Sequence, residues 1–521
     1  MNDDLLATAR ARMVALRARL TAPGAAPPRL IETHISWILL TETEAWKLKK
    51  PVRLPFIDMT ALAARQTACA EELRLNRRLA PGLYLSVDEV RQGADGPALG
   101  GEGELLDVAV HMRRFPDGAL WSERVGAGTL AAADVEAMAR HLACFHAEAP
   151  LADPASGHGG AEAQARTTQG LVEAMDRWWD AAAPEARGDF RWPPLRRWLL
   201  ETQAGLAPWW DGPRRTAGRV REGHGDLHLA NLLQLDGAPA AFDAIDFDPA
   251  LRWIDVLDDA AFPVMDLLAH GAASLAWRFL DAWLEISGDH AGLPALRCYL
   301  VRRALVRAQV MALMAEHRPD AAAMAARYRA LAAELAAGAD PRLAITHGLP
   351  GSGKSHVALR LVEEAGAVRL RSDVERKRLV GLAPLDGSRE RVPDLYGAEA
   401  THRTYAHLQA LADLALAAGW PVVVDAAFLR RDERRAFDAL AEARAVPFAI
   451  VACRAPLGVL RQRLRLRQAA GTDPSEADVG VLERLRQVAE PLDRHERAGV
   501  ITVRADEAAT LEQAARRWLA R

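Results

Sequence analysis

Two short stretches of this sequence carry residue types at spacings suited to handling phosphate. The first is Gly348-Leu-Pro-Gly351-Ser352-Gly353-Lys354-Ser355, a G-x-x-x-x-G-K-S pattern. Gly348, Gly351 and Gly353 let the backbone turn tightly, so that successive N–H groups, that of Ser352 included, wrap phosphate oxygens. Lys354 then reaches the outer phosphates and the Ser355 hydroxyl binds Mg2+. The context agrees: an apolar run at 342–347 predicts a short buried strand, and 357–362 continues as a helix whose N-terminus adds partial positive charge. The second stretch is His224-Gly225-Asp226-Leu-His228-Leu-Ala-Asn231, followed by Ile245-Asp246-Phe-Asp248 at the end of an apolar segment. In phosphoryl transfer, an Asp in a loop of this spacing orients an attacking hydroxyl and accepts its proton. The Asn five residues on holds a metal, and a later Asp bridges metal to phosphates. Asp226, Asn231 and Asp246 fit those three roles, and His228 reads as a packing residue because Asp226 already supplies the base.

The spacing of the second stretch is that of a protein-kinase catalytic loop, with two departures. Gly225 stands where protein kinases usually carry Arg, and Asp248 where they carry the Gly of D-F-G. Both point toward kinases of small molecules. With its H-G-D-x-x-x-x-N loop and later I-D-F segment, the chain resembles the aminoglycoside phosphotransferase family. Thr33-His-Ile-Ser-Trp-Ile-Leu-Leu40, Lys47-Leu-Lys-Lys-Pro-Val52, Leu75-Asn-Arg-Arg-Leu-Ala-Pro81 and Met112-Arg-Arg-Phe-Pro116 are similar to the bacterial branch in which this domain is fused to a P-loop kinase-like domain. That resemblance covers almost the whole chain and implies the fold and ATP-dependent phosphoryl transfer. It leaves the acceptor open, because site chemistry does not follow from fold alone.

Each motif needs elements to hold it. Residues 33–40 and 44–52 read as two strands joined by a polar turn, 61–79 as a helix and 105–112 as another strand, so a strand-rich lobe runs to residue 116. Beyond it Val135, Met138, Leu142 and Phe145 fall three or four apart on one helix face, and helical patterning recurs at 170–179, 272–284 and 293–314. In a two-lobed kinase a strand Lys pairs with the phosphates and is held by a helix Glu. Lys47, in Ala45-Trp46-Lys47, takes that place, with Lys49 on the same strand face as the alternative and Lys50 facing away. Glu72 is the expected partner and Glu71 the alternative. The apolar stretch 107–114 is a candidate for the backbone that binds adenine. Asp255 and Asp258 read first as helix-start or ion-pair acids, and second as groups for a cationic acceptor.

An Ala-rich helix at 320–338 ends in the break Gly338-Ala-Asp-Pro341, which divides the chain into domains 1–337 and 338–521. After it, apolar strands at 342–346, 368–370, 422–425, 448–453 and 501–503 alternate with helices such as 398–418 and 433–443. This predicts a doubly wound parallel sheet with its ligand at the carboxyl ends of the strands. Val422-Val-Val-Asp425 ends in the acid expected to hold Mg2+ directly or through water. Arg371-Ser-Asp373-Val-Glu-Arg376 resembles the S-D-x-x-R segment of polynucleotide-kinase-like and zeta-toxin-like P-loop kinases. The resemblance implies that Asp373 activates a hydroxyl and Arg376 binds substrate or phosphate; a capped, charged helix start is the plain alternative. Arg463 and Arg467, four apart in the basic run from Arg461 through Arg465, would close over phosphates as a lid ahead of Gly471-Thr-Asp-Pro-Ser475, unless the run is simply a solvated helix face.

At 521 residues the chain exceeds one ordinary core. A formal net charge of -3 gives no electrostatic case for nucleic acid or an anionic membrane, and few aromatic residues flank the basic run for base stacking. The 4 cysteines lack metal-ligand spacing, which argues against a zinc site and fits a reducing compartment. No window approaches the roughly 18 apolar residues of a membrane span, and the N-terminus lacks a signal-peptide core, so a cytoplasmic protein is expected. The reading is a phosphotransferase using ATP and Mg2+ on the hydroxyl of a small molecule. It joins an N-terminal α+β two-lobed protein-kinase-like domain to a C-terminal α/β P-loop kinase domain. The alternatives are that one half only senses nucleotide, or that the C-terminal half phosphorylates a nucleotide-sugar or a polynucleotide 5′-hydroxyl.

Overall fold

Alternation along the first hairpin decides which face each side chain takes. In β2 (Ser36–Leu40) and β3 (Glu44–Lys49), Trp37, Leu39, Trp46 and Leu48 are buried in one cluster with Ala9, Met13 and Leu16 of helix α1 (Asn2–Arg19). Ala45 lies in a second cluster with Cys69 of helix α2 (Leu62–Asn76). Lys47 and Lys49 share the parity of Ala45, so the strand delivers both to the α2 side. With β1 (Arg29–Glu32), β4 (Tyr84–Gly93), β5 (Gly96–Leu99) and β6 (Leu105–Arg113), these strands form an antiparallel sheet of order β1-β2-β3-β6-β4-β5. The hairpin, α2 and β6 fall where the sequence predicts them. Strand β4 does not read as a strand because register shifts between Tyr84 and Ser86 and between Val90 and Arg91 break its period of two.

The computed structural model describes residues 2–21, 26–54, 57–315, 318, 320–338, 340–388, 391–392, 394–470, 473–504 and 507–520. By contact the chain divides into two units, the first comprising Met1–Leu130, Phe145–Ala163 and Trp210–Phe262. In this unit two small antiparallel ladders frame the second motif. β7 (Val220–Glu222) pairs with β10 (Trp253–Asp255), and β8 (Leu232–Leu235) with β9 (Ala238–Ala241). Asp236 and Gly237, both at positive φ (52° and 79°), close the β8–β9 hairpin as a two-residue turn of this kind requires. The His224–Asn231 loop therefore leaves β7 and enters β8, and the Asp246 segment leaves β9 and enters β10.

The second unit comprises Ala131–Cys144, Gln164–Trp209 and Pro263–Arg521. Its sheet is wholly parallel, of order β12-β13-β11-β14-β15, built from β11 (Leu343–His347), β12 (Val368–Arg371), β13 (Val422–Asp425), β14 (Phe448–Arg454) and β15 (Val500–Arg504). A parallel sheet needs cover on both faces, and residues 343–346 and 422–425 are buried without alternation. Ala344, Val423, Val451 and Ile501 pack with Val357 and Leu361 of α6 (Lys354–Ala365) and Trp518 of α9 (Ala508–Leu519).

The helices α3 (Ala273–Ser287), α4 (Leu293–Met314) and α5 (Ala321–Ala336) belong to this same unit. Trp277 of α3 and Trp420 stack edge to face with centroids 6.1 Å apart, and Trp420 Nε1 donates to Leu293 O of α4 at 3.2 Å. The contacts group 263–337 with the parallel sheet, and no unit boundary falls at 338.

Candidate active sites

In the first unit the β3 lysines meet the α2 acid. Lys47 Nζ lies 2.8 Å from Glu72 Oε1 and 2.6 Å from Asp243 Oδ1; Lys49 Nζ lies 2.5 Å from Glu72 Oε2 and 2.5 Å from Asp246 Oδ2. Glu72 so gives one oxygen to each lysine, and both candidate lysines are engaged. One residue earlier on the helix, about 100° around it, Glu71 pairs instead with Arg74 and Arg252. Lys50 turns to Glu32 at 2.8 Å and lies over the Trp37 ring. Burial works to lower the Lys47 pKa, but the carboxylates of Asp243 and Glu72 outweigh it and raise it well above the ordinary lysine value. Burial opposes ionisation of Glu72 too, and the two ammonium groups overcome it, holding its carboxyl far below its usual range. At Asp246 burial prevails over the lysines and moves its carboxyl up.

The catalytic-loop candidates are held by their neighbours. Asn231 Nδ2 donates to Asp226 O at 2.9 Å and lies 3.4 Å from Asp226 Oδ2. The two motif segments are tied by backbone bonds, Ile245 N to His224 O at 3.1 Å and Phe242 N to Asn231 O at 3.0 Å. His228 Nδ1 accepts from Ala230 N, and its Nε2 lies 3.5 Å from Asp226 Oδ2. Gly225 has φ +87° and a Cβ there would come within 2.6 Å of Leu251 O, so the Arg of protein kinases has no room at this position.

Two residues that the motifs do not announce complete this site. Asp259, fully buried, accepts from His224 N at 2.8 Å and Gly225 N at 2.9 Å, and lies 3.2 Å from His146 Nε2. It fixes the loop from beneath. Asp243 places a second carboxylate on Lys47, from a backbone at φ +61° that Asp tolerates; its only signal was an acid three residues before Asp246. Asp255 is buried against Arg214, Nε to Oδ2 at 2.7 Å, and so serves an internal ion pair. In the 107–114 stretch Asp107 is likewise spent internally, on Arg12 and Arg65.

In the second unit the phosphate-loop glycines occupy positions that only glycine fills. Gly348 has φ +151° with a Cβ position 2.6 Å from Cys453 O; Gly351 has φ +82° with a Cβ position 3.0 Å from Leu460 O; Gly353 has φ +93°. The cradle fits a phosphate by a further mark, since Ser352 Oγ is buried and has no hydrogen-bond partner among the described residues. Lys354, first residue of α6 with Ser355 next to it, turns its Nζ back to Leu349 O at 3.1 Å. Burial lowers the Lys354 pKa despite the nearby charge of Asp425. Asp425 ends β13, buried, 3.8 Å from Arg371 Nε.

Arg463 of α8 (Leu457–Ala470) donates to Gly351 O at 3.3 Å, so it touches the phosphate loop; Arg467 donates to Ala477 O at 2.8 Å. Gly471 and Thr472 lie outside the described residues. Asp373 opens α7 (Ser372–Arg378), part-buried. Arg376 is buried and donates to Leu395 O at 3.0 Å and Thr401 Oγ1 at 3.1 Å, partners within the fold.

The family described as AAA domain matches residues 343–492. Over 469 residues the chain is 30% identical to the "Uncharacterized protein Rv2004c" of Mycobacterium tuberculosis (strain ATCC 25618 / H37Rv), covering 88% of this chain and 89% of that protein. The match to the "Uncharacterized protein Mb2027c" of Mycobacterium bovis has the same extent. The chain belongs to the family of these mycobacterial proteins. An alignment of that length runs through both halves of the chain. Among solved structures, a choline/ethanolamine kinase family protein from Mesorhizobium loti aligns over 64% of this chain and 95% of its own, at 14% identity and TM-score 0.37. A gluconokinase from Sinorhizobium meliloti 1021 aligns over 35% and 93%, at 23% identity and TM-score 0.24.

Proposed function

We propose that this protein is an ATP-dependent phosphotransferase acting on the hydroxyl group of a small molecule, with its chemistry at the Asp226 site and a second nucleotide site at the phosphate loop. The observation that carries the reading is the convergence of Lys47, Lys49, Glu72 and Asp246 in one ion-paired cluster, hydrogen-bonded through its backbone to the loop that holds Asp226 against Asn231. Lys47, released from Asp243, pairs with the nucleotide phosphates while Glu72 holds it. Asp226, a third of its side chain exposed, accepts the proton of the attacking hydroxyl as the phosphoryl group moves from ATP to that oxygen and ADP leaves. Asn231 and Asp246 would hold Mg2+ here, and Ser355 and Asp425 would hold it at the second site, where the ion neutralises charge on the phosphates. Catalysis is then mostly positioning. At the second site Asp373 is assigned to the acceptor hydroxyl, Arg376 to substrate binding, and Arg463 and Arg467 to the lid.

We place the functional division at 337/338, the protein in the cytoplasm, and neither nucleic acid nor membrane among its partners. Among the described residues no helix is long and apolar enough to cross a membrane. The test uses the full chain: labelled ATP is offered with a panel of alcohols to wild type, Asp226→Asn and Lys354→Ala. Transfer lost in Asp226→Asn supports the reading, and transfer retained in that variant rejects it. Should Lys354→Ala alter turnover at the first site without removing a transfer activity of its own, the second site is regulatory.

A further inference from the structure

Helix α3 lies far from the phosphate loop in sequence, yet four of its side chains reach the elements that carry that loop. Trp277 closes on the C-terminal end of α6, where a Cβ at Gly366 would meet its ring at 2.8 Å, and Arg278 pairs with Glu363 of α6 at 2.6 Å. One and two turns on, Asp281 and Glu285 face the edge strand β12. Arg369 binds Asp281 with both arms, Nη2 to Oδ2 at 2.6 Å and Nε to Oδ1 at 3.1 Å. Arg371 spends its Nη1 on Glu285, 3.1 Å from Oε1 and 3.0 Å from Oε2. Its other two nitrogens point elsewhere: Nε lies 3.8 Å from Asp425 Oδ2, and Nη2 lies 3.8 Å from Asp473 Oδ1. The Arg371 side chain is only 13% exposed, so water does little to screen these charges.

The geometry points to Glu285 as a positioning residue for the phosphate-loop site: by holding Arg371 on α3 it keeps that guanidinium off Asp425 and so leaves the carboxylate free for a magnesium-bound nucleotide. The inference rests on the reading of the phosphate loop given above. The distances support it in this way. At 3.8 Å Arg371 is near enough to bias Asp425 but does not hydrogen-bond it, whereas its bonds to Glu285 are fully formed. Without the Glu285 charge, the two site carboxylates are the nearest anions left to Arg371, and it would compete with the metal. Asp281 is the internal control: it pairs with Arg369 one turn back and touches neither Arg371 nor a site carboxylate, although Arg369 also reaches Glu285 Oε2 at 3.3 Å.

The experiment measures binding of a fluorescent ATP analogue to the full-length protein as a function of Mg2+, taking the component that Lys354→Ala abolishes. We expect Glu285→Gln to raise the half-saturating Mg2+ concentration about tenfold, Asp281→Asn to leave it within about twofold, and Glu285→Gln combined with Arg371→Gln to return it to the value of Arg371→Gln alone. An unshifted Glu285→Gln protein would overturn the inference. So would an Asp281→Asn protein shifted as far as Glu285→Gln, since the helix would then act through packing only. If Lys354→Ala removes no binding at all, the phosphate-loop reading itself fails, and it fails visibly apart from the variants of α3.

Discussion

Asp226 lies in the His224–Asn231 loop and Asp259 on the helix Val256–Ala269 that holds that loop, and the two answer to different tests. Replacing Asp226 by Asn removes the proton acceptor while keeping the shape and the bond from Asn231. We expect turnover to fall by about 10²–10⁴-fold, with nucleotide affinity changed little, as steady-state rates and equilibrium binding would show. Asp259 does its work on the protein. Burial alone would raise its carboxyl, but hydrogen bonds and charge from His146 and His224 outweigh burial and hold it at about 2, against an ordinary 3.8. The folded value lies below the unfolded one, so its contribution is complete above the unfolded pKa and drains away as pH falls toward the folded one. Asp259→Asn should therefore cost about 2 kcal/mol of unfolding free energy at neutral pH, a difference that narrows below about pH 4 in denaturant melts. A deficit unchanged down to pH 2 would show that the lost packing, and not the ionised carboxylate, matters there.

At the scale of elements, the phosphate loop tolerates least. Gly348→Ala would put a methyl group 2.6 Å from Cys453 O and 2.8 Å from Ser352 Oγ at a backbone angle that L-residues rarely adopt. We expect nucleotide affinity at that site to fall about 100-fold or more with a modest drop in melting temperature, measured by binding and by calorimetry. The same stringency explains why this loop was legible in the sequence: its conformation dictates residue type, and the buried strands that hold it write themselves as unbroken apolar runs. Lys47 and Glu72 were legible because a strand period of two and a helix period of 3.6 place charged groups on known faces, and Asp246 because of its place in the segment that follows the Asp226 loop. Asp259 was not, because its partner His146 lies 113 residues away and nothing local marks the pair. Nor was the reach of α3 toward β12, since nothing local marks Asp281 and Glu285 before the two arginines of a distant strand are folded against them.

For the whole molecule, the grouping of 263–337 with the parallel sheet changes what a fragment can be. A piece made of residues 338–521 keeps every phosphate-loop residue and loses the indole of Trp277, the acceptor for Trp420 and the acids of Arg369 and Arg371. Stripped of that cover, we expect it to melt at least about 10 °C below the corresponding transition of the intact chain and to bind ATP more weakly, as scanning calorimetry and titration would show. A fragment as stable as the whole would mean that these contacts contribute little.

The chain crosses between its two units repeatedly, from residue 130 to 131, 144 to 145, 163 to 164, 209 to 210 and 262 to 263. A ribosome releases residues in that order and no other. Segments 131–144 and 164–209 therefore emerge before α3, α4 and α5, whose Arg278, Arg302 and Arg329 reach Glu136, Gln164 and Trp178, and at about 5–20 residues per second they wait several seconds for those helices to be made. During that interval they lack those later partners and have only contacts such as Trp178 against Phe190, so nascent chains of this protein should depend on holding chaperones more than two domains arranged one after the other would.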